Sequence, residues 1–289
     1  MNNRPRRSAL YMPGSNPRAL EKARSLSADC LILDLEDAVA PERKVDARAE
    51  VVAAIAAGGY GPREVLVRCN ALDTPWGADD LRALAHSGAD GIVLSKVNTA
   101  ADVHAAARLL EDAGAPGDPP LWIMAETARC ILDIDAVAGS HRRLRGILMG
   151  TSDLGRECRI PQTSDRLGLL HALGACLLAA RAHGLEILDG VCLDLEDDAA
   201  LARQCAQGRD LGFDGKTLIH PKQLAAANAA FAPSPEALAR AVRIIAGWRD
   251  AAAAGKAVVV VDGRLVENLH VQEAERELEL AGLIAAMGW

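Results

Sequence analysis

The chain has 289 residues, half of them apolar and a quarter charged, and 32 Lys plus Arg against 39 Asp plus Glu leave a formal net charge of −7. That length can bury a substantial core in one large domain or two small ones, while an acidic balance and 3% aromatic residues argue against a base-stacking, nucleic-acid-binding surface. Seven scattered cysteines without a CxxC pair fit reduced thiols rather than a disulfide frame or a zinc site, Met1–Ser8 is basic with no apolar run behind it, and no segment reaches a membrane span, so a soluble, cytoplasmic protein is expected.

From Ser8 onward, short apolar runs alternate with longer helix-patterned segments, as in successive βα units. Strands are predicted near Ala9–Met12, Cys30–Leu33, Val65–Arg68, Gly91–Leu94, Leu121–Ala125, Gly146–Met149, Glu186–Leu188 and Gly215–Leu218, with a helix over about Ala128–Ala138. Eight such strands are the number for a (β/α)8 TIM barrel, placed at residues 1–232. A doubly wound open sheet is the alternative, but the G-x-G-x-x-G fingerprint is missing. After Phe231 the rhythm breaks: Pro233 and Pro235 lead into a helix over Glu236–Ala254, then a Val-rich hairpin arm from Lys256 turning at Asp262-Gly263, then a helix over Glu273–Met287. This stretch, 233–289, is too short for a core of its own and reads as an extension packing on the barrel or on a neighbouring subunit.

The chemistry collects at the strand ends, the face on which barrel active sites are built. Strand 1 feeds, through a Gly/Pro loop, a helix bearing Arg18 and Lys22 four apart on one face; this suits a phosphate or is a solvated helix face. Strand 2 ends in Asp34-Leu-Glu36-Asp37, three acids that repel unless a cation or hydrogen bonds compensate. Strand 3 delivers Arg68, a fork for a substrate carboxylate or one half of a buried ion pair, and strand 4 delivers Lys96 to the same acidic mouth. Strands 5 and 6 lead to Glu126 and Asp153, two carboxylates that can share one Mg²⁺ with waters and substrate oxygens; Asp153 could instead cap a turn over Leu154–Glu157. Asp189 follows strand 7, and strand 8 runs through Lys216 to Ile219-His220-Pro221.

Taken in order, Arg7-Ser-Ala-Leu-Tyr11-Met-Pro-Gly14, Leu33-Asp-Leu-Glu-Asp37, Val67-Arg-Cys-Asn70, Ala125-Glu-Thr-Ala128, Gly150-Thr-Ser-Asp153, Asp189-Gly190 and Gly215-Lys-Thr-Leu-Ile-His-Pro-Lys-Gln223 resemble the citrate lyase β-subunit-like CoA ester lyases of the HpcH/HpaI aldolase superfamily, relatives of malyl-CoA and citramalyl-CoA lyases. The resemblance runs from about Arg6 to Ala285. It implies a barrel with a C-terminal lid closing over a neighbour's site in a homotrimer or hexamer. It further implies Glu126 and Asp153 as Mg²⁺ ligands, Arg68 at the substrate's oxygens, and Tyr11, Arg18, Lys22 and the Ile219-His220 segment around CoA. Ser95 stands where the family usually has proline. Glu267, in Gly263-Arg-Leu-Val-Glu267-Asn, stands where better-known members carry a catalytic lid aspartate.

The implied chemistry is reversible cleavage of a 3-hydroxyacyl-CoA ester into a keto acid and an acyl-CoA, with Arg68 steadying oxyanions, Glu36 and Asp37 orienting metal-bound water, and Glu267 as acid/base. The alternatives are a malyl-CoA-type thioesterase, an aldolase on small hydroxy-oxo acids without CoA, and a subunit working with an acyl carrier protein.

Overall fold

The computed structural model describes residues 4–253, 255 and 257–289. Two compact units are present: Arg6–Ala230, and Phe231–Trp289 with Arg4 and Pro5.

The larger unit is a closed barrel of eight parallel strands in sequential order: β1 (Ser8–Pro13), β2 (Cys30–Asp34), β3 (Glu64–Cys69), β4 (Gly91–Leu94), β5 (Leu121–Ala125), β6 (Leu144–Met149), β7 (Glu186–Asp189) and β8 (Gly215–Leu218). The expected TIM barrel is thus the observed fold, and every predicted strand is present. Because helices cover the outside and side chains fill the inside, most of these strands are buried along their whole length, which is why they read as unbroken apolar runs. Ile32, Leu66, Val93, Trp122, Met124, Leu148 and Leu188 fill the interior. Trp122 is the largest of them, and Gly146 makes room for it: a Cβ there would stand 2.2 Å from the indole ring.

The bottom of the barrel is closed by charge. Arg6 binds Glu64 through Nε and Nη2 at 2.5 and 2.8 Å, reaches Glu186 at 3.5 Å, and lies 5.2 Å from the Trp122 ring centroid. Next to it, Arg7 forms a bidentate pair with Asp29, both bonds 2.8 Å long. Ion pairs that satisfy each other in this way can sit at a buried strand start without leaving an orphaned charge.

Two expectations need correction in the barrel. The helix expected over Ala128–Ala138 is broken into Ala128–Leu132 and Ile134–Ala138 at Asp133, whose φ of −104° and ψ of 13° leave the helical region. Asp153 follows β6 as expected, but it does not cap a turn over Leu154–Glu157. The helix begins at Thr151, and Asp153 lies in its first turn, which aims its carboxylate back at the mouth.

In the smaller unit, a helix over Pro235–Ala253 packs on one over Asn268–Met287, with a hairpin of β9 (Val259–Val261) and β10 (Arg264–Val266) between them in sequence. Ala254 and Lys256, the expected helix end and hairpin start, lie outside the described residues. Asp262 and Gly263 take left-handed φ values of 51° and 74°, the two-residue turn that matches strand twist. The last helix starts at Asn268, not at Glu273. Leu269 is 57% exposed, so the apolar period begins only at Val271 and hides the first turn. Among the described residues no helix is long and apolar enough to cross a membrane.

Candidate active site

The C-terminal mouth of the barrel opens on a cavity of about 320 Å³, lined by Asp34, Arg68, Glu126 and Asp153 together with apolar side chains such as Met149 and Leu193. It is built from parallel neighbours in register. Asp34 at the end of β2 sits opposite Arg68 on β3, and the guanidinium donates from Nε and Nη2 to the two Asp34 oxygens, both at 2.7 Å. Asp34 also accepts the backbone N–H groups of Glu36 and Ala38, at 2.9 and 3.0 Å. Burial would raise this carboxyl, but Arg68 outweighs it and holds Asp34 below the usual carboxylate range.

The fork of Arg68 is therefore taken by Asp34. Its remaining edge, Nη1, lies 2.8 Å from Glu36 Oε2 and donates to Asp37 Oδ2 at 3.4 Å, and its face lies 4.7 Å from the Tyr11 ring centroid. Tyr11 donates its hydroxyl to Met124 Sδ at 3.3 Å, and burial pushes the phenol well up, so it is a neutral hydroxyl at physiological pH.

Glu36, Glu126 and Asp153 converge on one point, and the ammonium of Lys96 is there. Its Nζ donates to Asp153 Oδ2 and lies 3.4 Å from Glu126 Oε2 and 3.6 Å from Glu36 Oε1. The Lys96 backbone N–H adds a 2.7 Å bond to Glu126 Oε1. Gly150 lets Glu126 occupy this place, since a Cβ on residue 150 would stand 2.3 Å from the Glu126 Cβ. Burial raises Glu126, and burial with the neighbouring Glu126 and Asp37 pushes Glu36 up to about 7. Asp153 is held low in spite of burial by Lys96 and by Arg156, which donates to Asp153 Oδ1 at 2.8 Å.

The residues fit a divalent cation. Five carboxylates, Asp34, Glu36, Asp37, Glu126 and Asp153, face three cations, Arg68, Lys96 and Arg156. Buried Glu36 Oε2, close to Arg68 but poorly aligned with its N–H groups, also has no hydrogen bond. A lysine ammonium already held among three carboxylate side chains shows that the spot attracts positive charge.

The other expected residues are placed as follows. Ile219 lines the cavity, and its N–H donates to Gln223 Oε1 at 3.0 Å. His220 is exposed and uses Nδ1 to accept the Lys222 N–H at 3.1 Å, a capping role for the turn Pro221–Gln223. Arg18 and Lys22 are exposed on the short helix Pro17–Ala23, whose cap Asn16 already accepts one of the free N–H groups, that of Ala19. Glu267 belongs to the C-terminal unit, is exposed, and begins the last helix, with the His270 ring accepting its backbone N–H at 3.0 Å. Asp189 is withdrawn from the cavity into a closed network with Lys216 and Arg166. Sequence reading underrates Lys96 and Asp34, although the Asp34–Arg68 register follows once strands 2 and 3 are taken as parallel neighbours.

A closed parallel barrel with its ionisable groups gathered at the strand C-terminal ends defines a (β/α)8 enzyme. Residues 7–221 match the model of the HpcH/HpaI aldolase/citrate lyase family, and the chain belongs to that family. It is 50% identical over 282 residues to a (3S)-malyl-CoA thioesterase of Cereibacter sphaeroides, covering 98% of this chain and 96% of that protein. It is 35% identical to an L-malyl-CoA/beta-methylmalyl-CoA lyase of the same species, covering 98% and 96%. Among solved structures, CitE of Mycobacterium tuberculosis in complex with magnesium, acetoacetate and coenzyme A matches with a TM-score of 0.75 at 31% identity, over 95% of this chain and 97% of that one.

Proposed function

We propose that this protein acts on the CoA ester of a small hydroxy dicarboxylic acid of the malyl class, with Mg²⁺ held by Glu126 and Asp153, and that it hydrolyses the thioester. The observation that carries the outcome is the 50% identity, over nearly the whole of both chains, to a protein named as a malyl-CoA thioesterase. Bound Mg²⁺ supplies a Lewis acid for substrate oxygens. The chain's residues do the rest. Arg68, fixed by Asp34 and by its stacking on Tyr11, presents its Nη1 edge to a substrate oxyanion. Glu36, with a pKa near 7, accepts a proton from an attacking water as readily as it returns one. Asp37, exposed at the rim, orients that water. Water oxygen bonds to the thioester carbon, the C–S bond breaks, and the CoA thiolate leaves and takes a proton. Arg18 and Lys22 hold the CoA phosphates, and Ile219 and His220 border the same groove. Glu267, one methylene longer than the aspartate it replaces, acts from the lid of a neighbouring copy in a trimer or hexamer.

Carbon–carbon cleavage is the second reading, favoured by the 35% identity to a malyl-CoA lyase and by an acidic mouth able to hold hydroxyl and carboxylate oxygens together. Reliance on an acyl carrier protein in place of free CoA is a further variant. The test is a Mg²⁺-dependent assay of the purified protein on malyl-, methylmalyl-, citramalyl- and citryl-CoA, scoring free thiol and keto acid in parallel. Thiol without keto acid is expected. Keto acid with an intact acyl-CoA product would establish the lyase instead, and undiminished turnover in both Glu126→Ala and Asp153→Ala would sink the metal assignment.

A further inference from the structure

Lys96 is held in a way that solvation of an acidic mouth does not require. Its φ of 52° places a non-glycine residue in the left-handed region, a strained conformation that surrounding structure must offset. Three bonds do so. The Lys96 N–H donates to Glu126 at 2.7 Å, its carbonyl accepts from Asn98 Nδ2 at 3.2 Å, and the preceding Ser95 hydroxyl donates to the Cys69 carbonyl at 2.9 Å. Ser95 can make that last bond because it is not proline. With the backbone fixed, the side chain crosses the mouth and delivers its ammonium to the point where Glu36, Glu126 and Asp153 converge. The side chain remains 29% exposed, so it has a way out.

We propose that Lys96 is a resident cation. It holds the metal-binding carboxylates together while the metal is away, and it leaves Asp153 for Glu36 and the open mouth when a divalent cation enters. The inference rests on the reading of Glu126 and Asp153 as metal ligands. Without a cation these carboxylates repel one another, and the ammonium offsets that repulsion. A divalent ion held by Glu126 and Asp153 would compete with the ammonium for the same carboxylates, because two cations brought that close repel one another strongly. Lys96 is thus a positioning residue: it preserves the site's shape and weakens metal affinity in doing so. Once displaced, its charge faces the mouth from which an anionic substrate arrives.

The test compares Mg²⁺ titrations of the wild-type chain, Lys96→Met and Arg156→Gln by isothermal calorimetry, with thermal unfolding measured with and without Mg²⁺. Arg156 is the charge control, since it also pairs with Asp153 but from the outside, with a side chain 81% exposed. Lys96→Met should lower the Mg²⁺ dissociation constant about tenfold or more, lower the unfolding temperature without metal, and enlarge the rise that Mg²⁺ produces. Arg156→Gln should change the constant less than about threefold, because an exposed pair is screened. Equal tightening in the two variants would reduce Lys96 to bulk electrostatics and overturn the proposal. So would unchanged or weaker binding in Lys96→Met. Failure of the wild-type chain to bind Mg²⁺ would overturn the metal reading itself, and the proposal with it.

Discussion

At the scale of single residues, the site separates groups that make the mouth from groups that reach outward to the ligand. On the proposed reading Arg18 and Lys22 are of the second kind; both are exposed and lie on one face of the first helix. Replacing both by Ala should raise KM for a CoA ester about tenfold while leaving kcat nearly unchanged, since two phosphate contacts of surface strength are lost before any chemistry begins. The corresponding pantetheine thioester, which lacks the nucleotide phosphates, should show no such rise. An equal rise with both substrates would remove the two residues from the CoA site. The identities of Glu126, Asp153 and Arg68 are legible in the sequence because each follows a buried apolar run, and a barrel turns every strand end toward one face. Their pairing is less legible. Lys96 and Arg68 each have several carboxylates within reach, and only register and side-chain reach decide that Asp34 takes the Arg68 fork while Lys96 goes to Asp153.

At the scale of elements, the βα junctions carry the geometry. The turn from β6 into the helix Thr151–Glu157 passes over Glu126, and Gly150 is what permits it. Gly150→Ala would put a Cβ 2.3 Å from the Glu126 Cβ and 2.7 Å from its Oε2. The expected outcome is a loss of stability of about 1–3 kcal/mol from overpacking, together with Mg²⁺ affinity at least tenfold weaker as Glu126 is pushed aside, both read from calorimetry. Wild-type affinity in a folded Gly150→Ala protein would show that Glu126 does not hold the ion. The junction of β7 and β8 serves a different end. Asp189 accepts from Arg166 Nη1 at 2.7 and 2.8 Å and from Lys216 Nζ at 2.9 Å, and all three side chains are buried. Burial would raise the Asp189 carboxyl, but Lys216 and Arg166 hold it below its ordinary value. Its contribution to stability is therefore complete above the unfolded value near pH 4 and is lost as pH falls through the lower folded value. Asp189→Asn leaves two buried cations without a counter-charge, and should lower stability at pH 7 by about 3–5 kcal/mol and flatten its fall below pH 4. Urea unfolding across pH 3 to 7 measures both, and an unchanged acid slope in the variant would mean that other carboxylates set it.

At the scale of the whole molecule, all the barrel-mouth groups lie within Arg6–Ala230, whereas Glu267 lies in the second unit, Phe231–Trp289. The barrel is the more legible unit, because eight buried strands repeat one signal. The second unit gives less away: its hairpin is three residues a side, and its last helix opens on an exposed turn with no apolar period. The proposed division of labour, with the metal and substrate groups in one copy and the lid acid supplied by the next, has a consequence that neither unit has alone. Glu126→Ala chains carry a disabled mouth and an intact lid, and Glu267→Ala chains carry the reverse. Each variant alone should be inactive. When the two are unfolded together and refolded as a one-to-one mixture, a cyclic assembly places an intact mouth beside an intact lid at roughly a quarter of its sites. Thioester turnover should return to about that fraction of the wild-type rate, and it should not return when the two proteins are mixed without exchange of subunits. Continued inactivity of the refolded mixture would mean that Glu267 serves its own chain. Full activity of Glu267→Ala alone would take the lid acid out of the chemistry and leave Glu36, with its pKa near 7, as the proton carrier.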